Sequence, residues 1–131
     1  VAEALLKGGA VRLKVTVGST EAEVNGRPVT LASPPLVIEG VTYLPLRFVA
    51  EASGYQVDWD RDAGAVLARG GKRIVLPVDG KTVVIPDKHN PVALIALPAI
   101  RDLGLGIRVH GVDIELDGNV GNSMDYLEAA G

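Results

Sequence analysis

Between Tyr43 and Asp60 the chain reads YLPLRFVAEASGYQVDWD, and its hydrophobic period changes at a single glycine. Pro45 suits a first helical position, where a missing N–H costs nothing. Leu46, Val49, Ala50 and Ser53 fall at i, i+3, i+4 and i+7, one face of a short helix, and Phe48 and Ala52 widen it. Arg47 and Glu51, four apart, can pair on the other side. Gly54 stands where a left-handed residue ends a helix. Beyond it Tyr55, Val57 and Trp59 alternate with Gln56, Asp58 and Asp60, the period of a half-buried strand. The stretch predicts helix, glycine stop and strand, packed as antiparallel neighbours on one core.

The flanking sequence is punctuated for hairpins. VRLKVTV alternates, Asn25-Gly26 separates two alternating runs, and PPLVIEGVTYL turns near Glu39-Gly40. AVLARGGKRIVLPVDGKTVVI reads as three short strands divided by hairpin turns at Gly70-Gly71 and Asp79-Gly80. Such a series is a meander, not a βαβ alternation. The fold class expected is therefore α+β: an antiparallel β-meander sheet wrapped around one or two short helices.

The second half resembles a shortened copy of the first. LIALPAIRDLG lies on LPLRFVAEASG at an offset of fifty, with Leu94 on Leu44, Ile100 on Ala50 and Gly104 on Gly54. GIRVHGVDIELDG then repeats the alternation that follows Gly54. Asn90-Pro91 offers a helix cap, and Pro98 is tolerable if the second helix starts near Ile95, which leaves it in the first turn. The divisions expected are a tail or linker over 1–10 and a domain over 11–118, with half-repeat units 11–80 and 81–118. A tail or short helix follows over 119–131.

At 131 residues the chain fits one domain. Its aromatic side chains are one Trp, three Tyr and one Phe, so Val, Leu, Ile and Ala must build the core. The net charge of −3 argues against nucleic-acid binding, which needs a basic face. The absence of cysteine removes disulfides, thiolate nucleophiles and thiolate metal sites. The longest apolar run, VALIALPAI, falls short of the roughly 20 residues of a membrane helix, so no membrane insertion is expected. No signal-peptide pattern is read in the sequence, and Val1 reads as the start of a processed product or an excised fragment.

VNGRPVTL, then PPLVIEGVTYLPLRFVAEASGYQVDWD, then the VLARGGKRIVLPVDG hairpin together resemble the copper amine oxidase N-terminal-like domain, the stalk domain of bacterial envelope and secreted proteins. The resemblance runs from about Val11 to Gly118. Its specific block is Tyr-Leu-Pro-Leu-Arg, an Ala-Glu-x-x-Gly helix end and Val-x-Trp-Asp, which makes Pro45, Arg47, Glu51, Gly54 and Asp60 its structural positions. The second copy lacks the Pro-Leu-Arg and the Trp-Asp. The resemblance implies an antiparallel sheet around a helix, no oxidase chemistry, no cofactor, and an extracellular or cell-envelope location. It implies service as a spacer or protein-interaction domain, or as a binder of cell-wall glycan.

Amine oxidation would need a copper site of three histidines and a quinone-forming tyrosine. Only His89 and His110 occur, and no Asn-Tyr-Asp or Asn-Tyr-Glu surrounds Tyr43, Tyr55 or Tyr126. Neither histidine has a nucleophile beside it, and paired carboxylates for hydrolysis stay an open third reading. Asp58, Asp60 and Asp62 with Gly64 resemble the start of a calcium loop, set against the simpler reading of acids in a turn. Tyr55 and Trp59 on one strand face could stack on sugar rings, set against core packing. Edge strands at KVTV or GKTVVI offer a route to subunit assembly with other protein domains or a second copy.

Overall fold

Several of the alternating runs end at residues with a left-handed backbone. Asn25 and Gly26 have φ of 51° and 83°, and Glu39 and Gly40 have 50° and 81°. Positive φ at both central residues is the two-residue hairpin turn whose twist matches that of paired strands. The computed structural model describes residues 10–87, 89 and 91–119. Over the first half it shows β1 (Ala10–Thr16), β2 (Glu21–Val24), β3 (Arg27–Thr30), β4 (Leu36–Ile38), β5 (Val41–Pro45), α1 (Leu46–Ala52), β6 (Gln56–Asp60), β7 (Gly64–Arg69) and β8 (Lys72–Leu76). Then come β9 (Val83–Val84), β10 (Leu94–Ala96), α2 (Leu97–Ile100) with a 3-10 turn over Arg101–Leu103, β11 (Gly106–His110) and β12 (Asp113–Asn119). Ala10 and Asn119 are the paired ends of β1 and β12. The remainder of both expected tails, Tyr126 included, lies outside the described residues.

The chain is α+β, with antiparallel strands and two short helices. The strands divide among three sheets: β11-β12-β1-β2-β3, β4-β5-β10-β9 and β6-β7-β8. A single meander does not form because Asp79-Gly80 turns the chain out of β8 instead of folding it back. The Asp79 carboxylate accepts the Lys81 and Thr82 N–H groups at 2.8 and 2.7 Å, and β9 then pairs with β10. β1 lies between β12 and β2. The KVTV run is therefore interior, and its expected role as an edge is corrected; β9, within GKTVVI, is an edge of its sheet.

The two halves repeat one series of elements: strand, helix, left-handed glycine, hairpin. Gly54 and Gly104 have φ of 88° and 90°. At the first, the Tyr55 N–H donates to the Ala50 carbonyl and the Gly54 N–H to the Glu51 carbonyl, the double bond of a Schellman stop. Helix starts Leu46 and Leu97 lie fifty-one apart, whereas the glycines lie fifty apart. One residue fewer fits between them, and the second helix tightens into its 3-10 turn. Pro45 sits at the N-cap of α1 rather than one place inside it, and Pro98 falls in the first turn of α2. The second helix starts at Leu97, two residues past Ile95, and Pro91 precedes β10 rather than opening a helix.

These halves are not separate bodies. β5 and β10 pair antiparallel at the centre of the four-stranded sheet, with Leu44 opposite Ile95. β12 in turn pairs with β1, so the first strand completes the last hairpin's sheet. One core collects Leu13, Leu44, Val49, Leu67, Ile95 and Leu116 with both helices. A smaller cluster around Tyr43, Leu94 and Ala96 covers the other face of the four-stranded sheet.

Gly64, at the start of β7, has φ of 104°, and a Cβ there would press into the Leu76 carbonyl oxygen of β8. Gly70 also has positive φ, at 58°, but faces open space. Urea denaturation should therefore separate them. Gly70→Ala is expected to cost about 1 kcal/mol of left-handed strain. Gly64→Ala is expected to cost more, about 2 kcal/mol or above, because backbone must shift as well.

Candidate functional site

The row Tyr55, Val57, Trp59 runs from the core outward. Tyr55 is 2% exposed, Val57 9% and Trp59 47%. The Tyr55 hydroxyl donates to the Leu103 carbonyl at 3.3 Å, binding the end of the first half's helix to that of the second. Arg69 lies over the Tyr55 ring, 4.5 Å from its centroid, and donates to the Ser53 carbonyl at the end of α1. The expected aromatic pair is thus divided: Tyr55 is a core residue and offers no face to a ligand. The core reading of Trp59 is corrected in the other direction. β6 is an edge strand, and its last inward-facing position overhangs the core instead of entering it.

Trp59 is one wall of a cleft of about 610 Å³. Phe48, Ile85, Leu31, Pro45 and Val92 are among its other apolar lining residues. The cleft lies where three sheet edges end together: Leu31 follows β3, Ile85 follows β9, and Trp59 belongs to β6. Helix α1 supplies Phe48, which lies beside the fully buried stripe of Leu46, Val49 and Ala50. Arg47 and Glu51 stand at the rim, paired at 2.9 Å with both side chains about half exposed. A pair so solvated contributes at most about 0.5 kcal/mol.

The sequence points to Trp59, Pro45, Arg47 and Glu51 but not to Phe48, Ile85, Leu31 or Val92. Phe48 carries a faint signal, since it stands off the i, i+3, i+4 stripe. Ile85 carries another, as an apolar residue just before a proline. Nothing local marks Leu31 and Val92 as neighbours of Trp59.

The aspartates do not form a calcium cage. One Asp60 oxygen is already taken, accepting the N–H groups of Asp62 and Ala63 at 2.8 and 2.9 Å. Among the described residues no three His, Cys, Asp or Glu side chains gather where a metal could sit. The metal assignment of Asp58, Asp60 and Asp62 is corrected to a turn. His110 lies 3.7 Å from Glu115 on the outer face of the five-stranded sheet, and the His89 N–H donates to Asp87.

Among the described residues no helix is long and apolar enough to cross a membrane. A family model described as the copper amine oxidase N-terminal domain matches residues 2–68, which end inside β7. A desiccation/radiation resistance protein of Deinococcus radiodurans is 43% identical over 51 residues, 39% of this chain. The chain spans only 9% of that relative's length. No solved structure matches.

The N–H groups of Ala63 and Asp62 hold the Asp60 carboxyl below its ordinary value, and those of Thr82 and Lys81 do the same for Asp79. A depressed carboxyl stabilises the fold above its unfolded pKa, about 4, and that contribution fades as pH falls through the lower folded value. Melting temperatures taken between about pH 2 and 7 should show the decline. Asp60→Asn keeps an oxygen for the turn and does not titrate. It is expected to be less stable than the parent near neutrality, where the charge contributes, to converge with it in acid, and so to show a shallower acid slope.

Proposed function

The chain belongs to the copper amine oxidase N-terminal domain family, and from that premise we propose a non-catalytic binding module that works outside the cytoplasm by contact with other protein domains. The exposed Trp59 wall of an apolar cleft carries the reading. A cleft lined by Phe48, Ile85, Leu31 and Val92 suits apolar side chains of a partner segment better than it suits a polar substrate. Tryptophan in such a setting is the usual anchor of a protein contact. The Arg47–Glu51 rim keeps the cleft mouth wetted and polar, as interface rims are. The family supports the non-catalytic part, since the matched domain is the enzymes' N-terminal one.

A second reading rests on the same indole. Trp59 is open enough to stack on a sugar ring, which would make the module a binder of cell-wall glycan. The shortage of hydrogen-bonding side chains around it, with Thr30, Arg47 and Glu51 the polar liners, favours the protein partner.

Trp59 is the only tryptophan, so its emission reports the cleft alone. The emission should be red-shifted and readily quenched by acrylamide in the free protein. Titration with apolar peptides is expected to shift it to the blue. Phe48→Ala should weaken that response about tenfold, the loss of a buried ring edge worth roughly 1.4 kcal/mol. A response to soluble peptidoglycan fragments alone would transfer the role to glycan. Silence towards both would remove the cleft as a binding site.

A further inference from the structure

The two hairpins that follow the left-handed glycines share a register. In the first half Val57 pairs with Leu67, and Leu67 with Ile74 of β8. In the second Ile107 pairs with Leu116, and Leu116 with Leu13 of β1. β8 therefore occupies in its sheet the place that β1 occupies in the other, with Ile74 matching Leu13, Arg73 matching Arg12 and Val75 matching Lys14. The resemblance ends at the next position. Beyond β1 lies β2, with Leu13 opposite Val24 and Lys14 opposite Glu23. Beyond β8 no strand follows among the described residues, and β8 is an edge of its sheet.

The geometry points to strand addition at β8 by an extended partner segment that alternates acidic and apolar residues. This surface is distinct from the Trp59 cleft. Three observations support it. The first is the backbone. The Arg12 carbonyl accepts the Asn25 N–H and the Arg12 N–H donates to the Asn25 side chain, so Arg12 and Lys14 direct their main-chain groups towards β2. By the shared register Arg73 and Val75 direct theirs away from β7, to an edge where no other described residue pairs with them. The second is charge. Lys72 and Arg73 are exposed, and among the described residues neither is in an ion pair; Arg73 acts only at long range, on Asp60. The corresponding edge of β1 is covered by β2, Glu-Ala-Glu-Val, whose acids Glu21 and Glu23 lie on the exposed face of the sheet, the face on which Arg73 stands in β8. The third is Ile74, half-buried against the core on the face opposite Arg73 and Val75, where the apolar residues of an alternating strand would extend the packing while its acids lie on the Arg73 face.

A seven-residue peptide of alternating valine and glutamate tests this against the intact chain, with amide shifts read by NMR. The Arg73 and Val75 amides are expected to move and to gain protection from hydrogen exchange. A matching peptide of valine and lysine should bind at least tenfold more weakly. Val75→Pro removes one edge donor and leaves the ladder to β7 untouched, so it should abolish the β8 response with the fold retained. Arg73→Glu, which alters no backbone group, should weaken the acidic peptide at least fivefold and favour the basic one. No movement in β8 at millimolar peptide, or equal binding of both peptides, would overturn the proposal. So would a dimer of the free chain that Val75→Pro converts to monomer, which would give this edge to a second copy.

Discussion

The antiparallel contact of β5 with β10 holds this molecule together. Leu44 and Ile95 face each other there, both fully buried, and each strand runs straight into a helix. Every later element in each half takes its direction from that junction. The helix leaves the strand at Pro45 or Ala96, stops at Gly54 or Gly104, and hands the chain to a hairpin that covers the helix it has just made. A half alone would leave an open strand and one uncovered helix face. Burial of apolar surface is the main favourable term in folding, and here one core takes its residues from both halves.

The site is a by-product of the same arrangement. Three sheets that share one core cannot all continue in one direction, and where β3, β9 and β6 run out, their last apolar residues surround a cleft. Trp59 is exposed for that reason. Its strand is fixed at Tyr55 by the hydrogen bond to Leu103 and by the Arg69 guanidinium, and it then leaves the core. An edge strand, β6, supports the cleft, and another, β8, closes the far side of the same sheet. Among the described residues this three-stranded sheet has two free edges, and the two proposed contact surfaces use one each without drawing on the core.

Much of this was legible locally. The helix of Leu46–Ala52, its glycine stop and the strand after it follow from period and left-handed geometry, and so do the turns at Asn25-Gly26 and Glu39-Gly40. The likeness of Leu94–Gly104 to Leu44–Gly54 was legible too, though the missing residue in the second helix was not. Period two places Tyr55 and Trp59 on one face, but it cannot say how far along the strand the core extends. Asp79-Gly80 has the composition of a hairpin turn, yet a carboxylate that caps two N–H groups there sends the chain to another sheet. Whether Lys14–Val17 is an edge is decided by β12, which lies about a hundred residues away. Contacts of that range leave no mark in a local pattern.

Native-state hydrogen exchange of the whole chain addresses the interlock most directly. If β5 and β10 bind the halves into one fold, the slowest amides of β7, of β12 and of the Leu44–Ile95 pair should share one opening free energy and one denaturant slope. Exchange through β12 that is much faster than through β7, with its own smaller slope, would mean that the halves open separately and would contradict the account.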